Sequence, residues 1–215
     1  MLLSIPTWII HLSSMTEWAV AMILLHRYGK LTRRKDVQRF AWLMLPHWIG
    51  GLCVLAYHTT SDRDSFWFDA SKVINLIGSL SLLAASLGII LKRRSVISAA
   101  AVMLFAPTYS ELLTRVQLVN LAFQISSAVY FLFLISLIVL YRRDPQAFAP
   151  MTIFGFWFLL VFVAVAATCN YYAIQVRGFA TLTHDDLLHG FAESFLTLTN
   201  LFIVFGIRQK LRTAS

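Results

Sequence analysis

The chain has 215 residues, of which 59% are hydrophobic and only 13% charged, with a mean hydropathy of +0.72 and a net charge of +8. A soluble domain carries about a quarter charged residues, and a disordered chain needs low hydrophobicity, so both classes are excluded. What remains is an integral membrane protein, whose positive balance is to be read as topology before it is read as nucleic-acid binding.

A membrane-crossing helix needs about 20 apolar residues. Taken in chain order, apolar runs cover Ile5–Leu25, Ala41–His58, Ala70–Leu91, Ser95–Leu113, Val116–Tyr141, Met151–Ala173 and Leu187–Ile207, with charged or Pro-containing breaks between them. The pattern predicts an all-α fold, a polytopic transmembrane helix bundle of about seven spans. The first run has no basic segment before it and no small-residue cleavage site after it, so a span is expected there and not a secretory signal. The fourth run is the weakest, being short and carrying Pro107 and Glu111. It suits a kinked span or a re-entrant segment, and the charge pattern favours a span. The stretch Ser95–Ser98 is a seam between an N-terminal three-helix part (1–95) and a C-terminal four-helix part (96–215) of one compact bundle.

Sorted by break, the loop charges fall on two sides. One side holds fourteen cations, Arg27 to Arg39, Lys92 to Arg94, Arg142, Arg143 and the C-terminal Arg208, Lys210 and Arg212 among them, against Asp36 and Asp144. The other holds Arg63, Lys72, Arg115 and Arg177 against six acids. The positive-inside rule makes the first side cytoplasmic, with the N-terminus outside and the C-terminus inside. The basic loops are then read as orientation signals in contact with anionic membrane lipid, with no nucleic acid as partner.

Ionisable groups inside a membrane are expensive and mark candidate sites. Glu17 lies near the middle of span one and His11 about six residues from its outer end. In span seven His189 and Glu193 are four apart and share a face, which Thr197 and Asn200 extend. His58 ends span two, Asn75 begins span three, Asn120, Gln124 and Ser127 form a stripe on span five, and Asn170 ends span six, whereas His47, beside Pro46, lies toward the inner side. These residues predict a polar network in the outer half, centred on His11, Glu17, His189 and Glu193. Several chemistries suit it. Imidazole and carboxylate can hold a transition metal at His11, Glu17, His189 and Glu193. Histidines on different helices, His11, His58 and His189, can ligate haem or a chlorophyll-type pigment. Chains of Glu and His can also relay protons, and a purely structural role as interhelical glue fits the same residues.

Retinal is rejected, because no lysine lies in the final span and Lys72 is only at the edge of span three. Cys53 and Cys169 lack a C-x-x-C or Cys/His companion motif and read as small buried side chains. No phosphate-binding loop, dinucleotide fingerprint or serine-hydrolase elbow is present.

The motifs IPTWIIHLSSMTEW at Ile5–Trp18, Arg27-Tyr28-Gly29, Trp42 to Pro46, Cys53 and His58 resemble a small membrane-protein family of cyanobacteria and algal plastids, one of the hypothetical chloroplast open reading frame families. Phe154–Ala166 and LHGFAESFLTLTNLFIVFGIR at Leu188–Arg208 resemble a second uncharacterised family from the same phototrophs. The chain looks like a fusion of the two, although Tyr57 stands where the first family's pattern has Trp. The resemblance implies a thylakoid or cytoplasmic membrane location and carries no known activity, so whether the protein is an enzyme stays open. The reading that follows is a role in photosynthetic complex biogenesis or cofactor handling, with photosynthetic membrane complexes as partners. The alternatives are a metal- or haem-dependent membrane oxidoreductase and a proton-coupled carrier.

Overall fold

The computed structural model describes residues 3–92 and 114–214. Its long elements are all α-helices: α1 (Ile5–Leu31), α2 (Lys35–Leu43), α3 (Leu45–Thr59), α4 (Ser65–Leu91), α5 (Arg115–Arg143), α6 (Pro150–Tyr171) and α7 (Asp186–Ala214). Among the described residues six segments are long and apolar enough to cross a bilayer, α2 and α3 together forming one of them, Lys35–Thr59, where about seven were expected for the chain. The remaining expected span, residues 95–113 with Pro107 and Glu111, lies outside the described residues.

The helix boundaries follow local chemistry. Proline occupies the first turn of α1, α3 and α6, where its missing N–H has no intrahelical partner to lose. Asp64 caps α4 by accepting from the Phe66 N–H at 3.0 Å. Thr114 and Gln117 form a reciprocal capping box at the start of α5. The break between α2 and α3 comes from Pro46, which cannot donate to the carbonyl four residues back. The Trp18 indole N–H donates to the Met44 carbonyl at this break, at 3.2 Å.

The loops gather at two ends, as their charges predict. At the basic end Arg34 bridges Asp36 at 2.7 Å and Asp144 at 2.6 Å. The Tyr28 hydroxyl donates to the Gln146 carbonyl at 2.6 Å, and the Lys210 ammonium donates to the Pro145 carbonyl at 2.9 Å. Burial alone would lower the Arg34 pKa, but hydrogen bonds and attraction from both carboxylates outweigh it and hold the guanidinium above its ordinary value. At the acidic end the Ser4 N–H donates to Asp186 at 2.9 Å, and Arg177 pairs with Asp185 at 2.6 Å.

Helices α4 and α5 run in the same direction. Two hydroxyl pairs show this, Ser79 with Ser126 at 3.0 Å and Ser86 with Ser136 at 2.5 Å, both advancing along the chain together. The chain therefore leaves α4 at the basic end, at Lys92, and enters α5 at the acidic end, at Thr114.

The basic half is an apolar core. Phe40 is fully buried and packs on Phe148 at 4.8 Å, and its ring also contacts Phe133 and Phe156. Helices α6 and α7 approach closely at Gly206, where a Cβ would strike the Thr152 backbone and hydroxyl. Outward positions such as Ile9, Ile23 and Phe123 remain exposed, as a lipid-facing surface requires.

Candidate metal centre

Three helices deliver one histidine each to the acidic half. His11 comes from α1, His58 from the last turn of α3 and His189 from the first turn of α7, and all three are buried. One ligand nitrogen from each lies within 4.8 Å of the others. The ring centroids are 4.9 Å apart for His11 and His58, 5.1 Å for His11 and His189, and 5.3 Å for His58 and His189. The Nε2 atoms of His11 and His189 share a hydrogen bond of 3.0 Å.

Carboxylates stand behind two of the rings. Asp62 accepts from, or pairs with, His58 Nδ1 at 2.8 Å, and its side chain is only 2% exposed. Glu193 lies 3.7 Å from His11 Nδ1. The hydrogen bond made by Nδ1 decides which ring nitrogen stays available, so Asp62 favours a His58 Nε2 lone pair turned toward the cluster, whereas Glu193 acts on His11 only through its nearby charge. His58 Nε2 and His189 Nδ1 are buried with no hydrogen-bond partner among the described residues. An orphaned imidazole nitrogen beside two others is the donor set that a transition-metal ion satisfies.

Two nitrogens on one tetrahedral ion lie about 3.3 Å apart when each bond is about 2.0–2.1 Å. The 3.0 Å pair of His11 and His189 reaches that with a small opening. The Trp8 indole meets His58 edge-on, with centroids 6.4 Å apart, and forms part of the wall.

The structure sorts the other candidate residues. Glu193 sits on the far side of the His11 ring from His189, behind the cluster. Glu17 stands outside the three-histidine group, half-buried with one carboxylate oxygen unpartnered. Asn200 donates from Nδ2 to the Ser14 carbonyl and hydroxyl, each at 2.9 Å, and Thr197 donates to the Ile10 carbonyl at 3.5 Å. These two residues tie α7 to α1 below the cluster. Asn75 packs against Gly50 of α3. Asn120, Gln124, Ser127 and Asn170 are exposed and do not join the cluster. His47 lies deeper, against Gly78 and near Trp18 and Tyr130. Cys53 and Cys169 are buried free thiols.

In the sequence Asp62 reads only as one of the six acids on the less basic side. The signal for it is the four-residue spacing His58…Asp62. Ser61 and Asp62 take left-handed backbone conformations, φ 54° and 60°, which fold the carboxylate back onto the ring. Asp is among the residues that tolerate this conformation.

Fold and site together define a polytopic helical membrane protein with a buried three-histidine cluster at one end of the bundle. Two family models match it, each described as a protein of unknown function: DUF2499 over residues 2–88 and DUF3593 over residues 119–212. A Ycf49-like protein of Synechocystis sp. is 32% identical over 86 residues, 39% of this chain and 83% of that protein. An uncharacterised protein ycf49 of Cyanophora paradoxa is 29% identical over 82 residues, 38% of this chain and 76% of that protein. The chain belongs to the Ycf49-like family through its N-terminal part and joins to it a second uncharacterised family. No solved structure matches it. The membrane-capable helices and the cyanobacterial and plastid relatives make it an integral protein of the thylakoid or cell membrane.

Proposed function

We propose that this protein holds a single transition-metal ion at His11, His58 and His189, and that it acts in cofactor handling or complex biogenesis in a photosynthetic membrane. The observation that carries the metal reading is the convergence of three buried imidazoles from three helices, two of them backed by carboxylates. Zinc, iron and copper all suit imidazole ligands. A haem or chlorophyll-type macrocycle fits the geometry less well. It fills the equatorial positions of its metal and takes imidazoles only along the axis, whereas these three rings surround one point. The cellular role rests on the kinship with phototroph proteins.

Elemental analysis and an absorption spectrum of gently purified protein test the metal reading. Stoichiometric metal without a Soret band is expected, with the metal lost in His58→Ala. A Soret band, or protein free of metal at every stage of purification, would sink it. A deletion strain with normal photosystem and pigment content under all light regimes would remove the biogenesis role.

One observation favours a second reading, a proton-coupled carrier. Glu193, His11 and His189 form a continuous line of ionisable groups, at 3.7 and 3.0 Å. On that reading Glu193→Gln abolishes proton flux in liposomes, and on the metal reading flux is absent in both proteins.

A further inference from the structure

We propose that the three-histidine centre is the joint between two separable membrane modules. The module carried here by residues 3–92 then pairs, where it occurs on a chain of its own, with a second chain of the family matched at residues 119–212. What the centre binds rests on the reading above; the pairing does not.

The centre is divided along the family boundary. His11, His58 and Asp62 lie in the part matched by the first family, and His189 and Glu193 in the part matched by the second. Neither part holds the three ligands alone. The polar contacts that seal the interface are divided in the same way: Ser14 with Asn200, Ser79 with Ser126, Ser86 with Ser136, and Arg34 with Asp144. The apolar core is shared too, since Phe40 of the first part is enclosed by Phe133, Phe148 and Phe156 of the second.

A first module standing alone in a bilayer would leave His11 without His189 and Glu193 and Ser79 without Ser126, in hydrocarbon that cannot replace them. The curated relatives stand in that position. The 86 residues matched in the Synechocystis protein are already 83% of it, which leaves no room for the second family's region. The partner that completes such a chain must supply a membrane helix with a histidine and a glutamate one turn apart, followed by small and amide side chains. Helix α7 supplies this here, with His189, Glu193 and Asn200.

A protease recognition site inserted after Lys92 of the full chain provides the test. After cleavage in mild detergent, the two fragments are expected to elute together from size exclusion and to keep their metal. Arg34→Gln with Asn200→Leu is expected to make the cleaved fragments separate about tenfold more readily, while the uncut variant stays helical. Fragments of the cleaved wild-type chain that separate at once would overturn the proposal. So would a tagged Synechocystis relative that purifies only as copies of itself, with no chain of the second family. Fragments that stay together without metal would support the pairing and overturn the metal reading alone.

Discussion

Asp62 and Glu17 invert what their positions in the sequence suggest. Glu17 lies well inside a span, yet it is six positions from His11, turned about 120° around the helix from it, and stands outside the cluster. Asp62 lies in a connecting loop, yet it is buried at 2.8 Å from a ring nitrogen of His58. The helical period carries enough information to place His189 and Glu193 on one face. It carries none about a turn whose direction depends on two left-handed residues, Ser61 and Asp62. A carboxylate behind a metal-ligating imidazole fixes its tautomer and raises its basicity, and removing such a group costs about 10–100-fold in affinity. Asp62→Asn should therefore weaken metal retention by about that factor in a chelator competition, with the helical content unchanged. Glu17→Gln should leave retention as it is. Equal effects of the two substitutions would place Glu17 in the site after all.

At the scale of the helices, packing is decided by a few close approaches. Proline acts through its own chain neighbours, yet the break at Pro46 between α2 and α3 falls inside the apolar run Ala41–His58, which reads in the sequence as one uninterrupted span. The contact of α6 with α7 was not legible, because Gly206 and Thr152 are distant in sequence and meet only when two helices cross. Gly206→Val should force those helices apart. The expected cost is about 1–3 kcal/mol by the usual penalty for overpacking, read as a lower melting temperature in detergent. Arg34 links the α1–α2 turn to Asp144 in the α5–α6 loop, and both partners keep some solvent exposure. A double-mutant cycle of Arg34→Gln and Asp144→Asn should return a coupling of about 1 kcal/mol. Additive effects would show that the two loops are held together by Tyr28 and Lys210 instead.

For the whole molecule, the direction of α4 and α5 sets the topology. Six described segments that simply alternated would bring both termini to the same face of the membrane. The parallel pairing of α4 with α5 places Ser4 at the acidic end and the end of α7 at the basic end, as the distribution of lysine and arginine requires. It also sets Lys92 and Thr114, only 22 positions apart, at opposite ends of the bundle. Two single cysteines in a background with Cys53 and Cys169 replaced by Ala and Ser give a direct test. In sealed vesicles of known orientation, Lys92→Cys should react with a membrane-impermeant maleimide only from the cytoplasmic side, and Thr114→Cys only from the other. Reaction of both from one side would break the parallel pairing. It would also carry His189 to the end opposite His11 and His58, since α5, α6 and α7 would all change direction with respect to the membrane, and the histidine cluster could not form. The polar half, with its three histidines, is thereby tied to the non-cytoplasmic face by the same measurement that fixes the course of the chain.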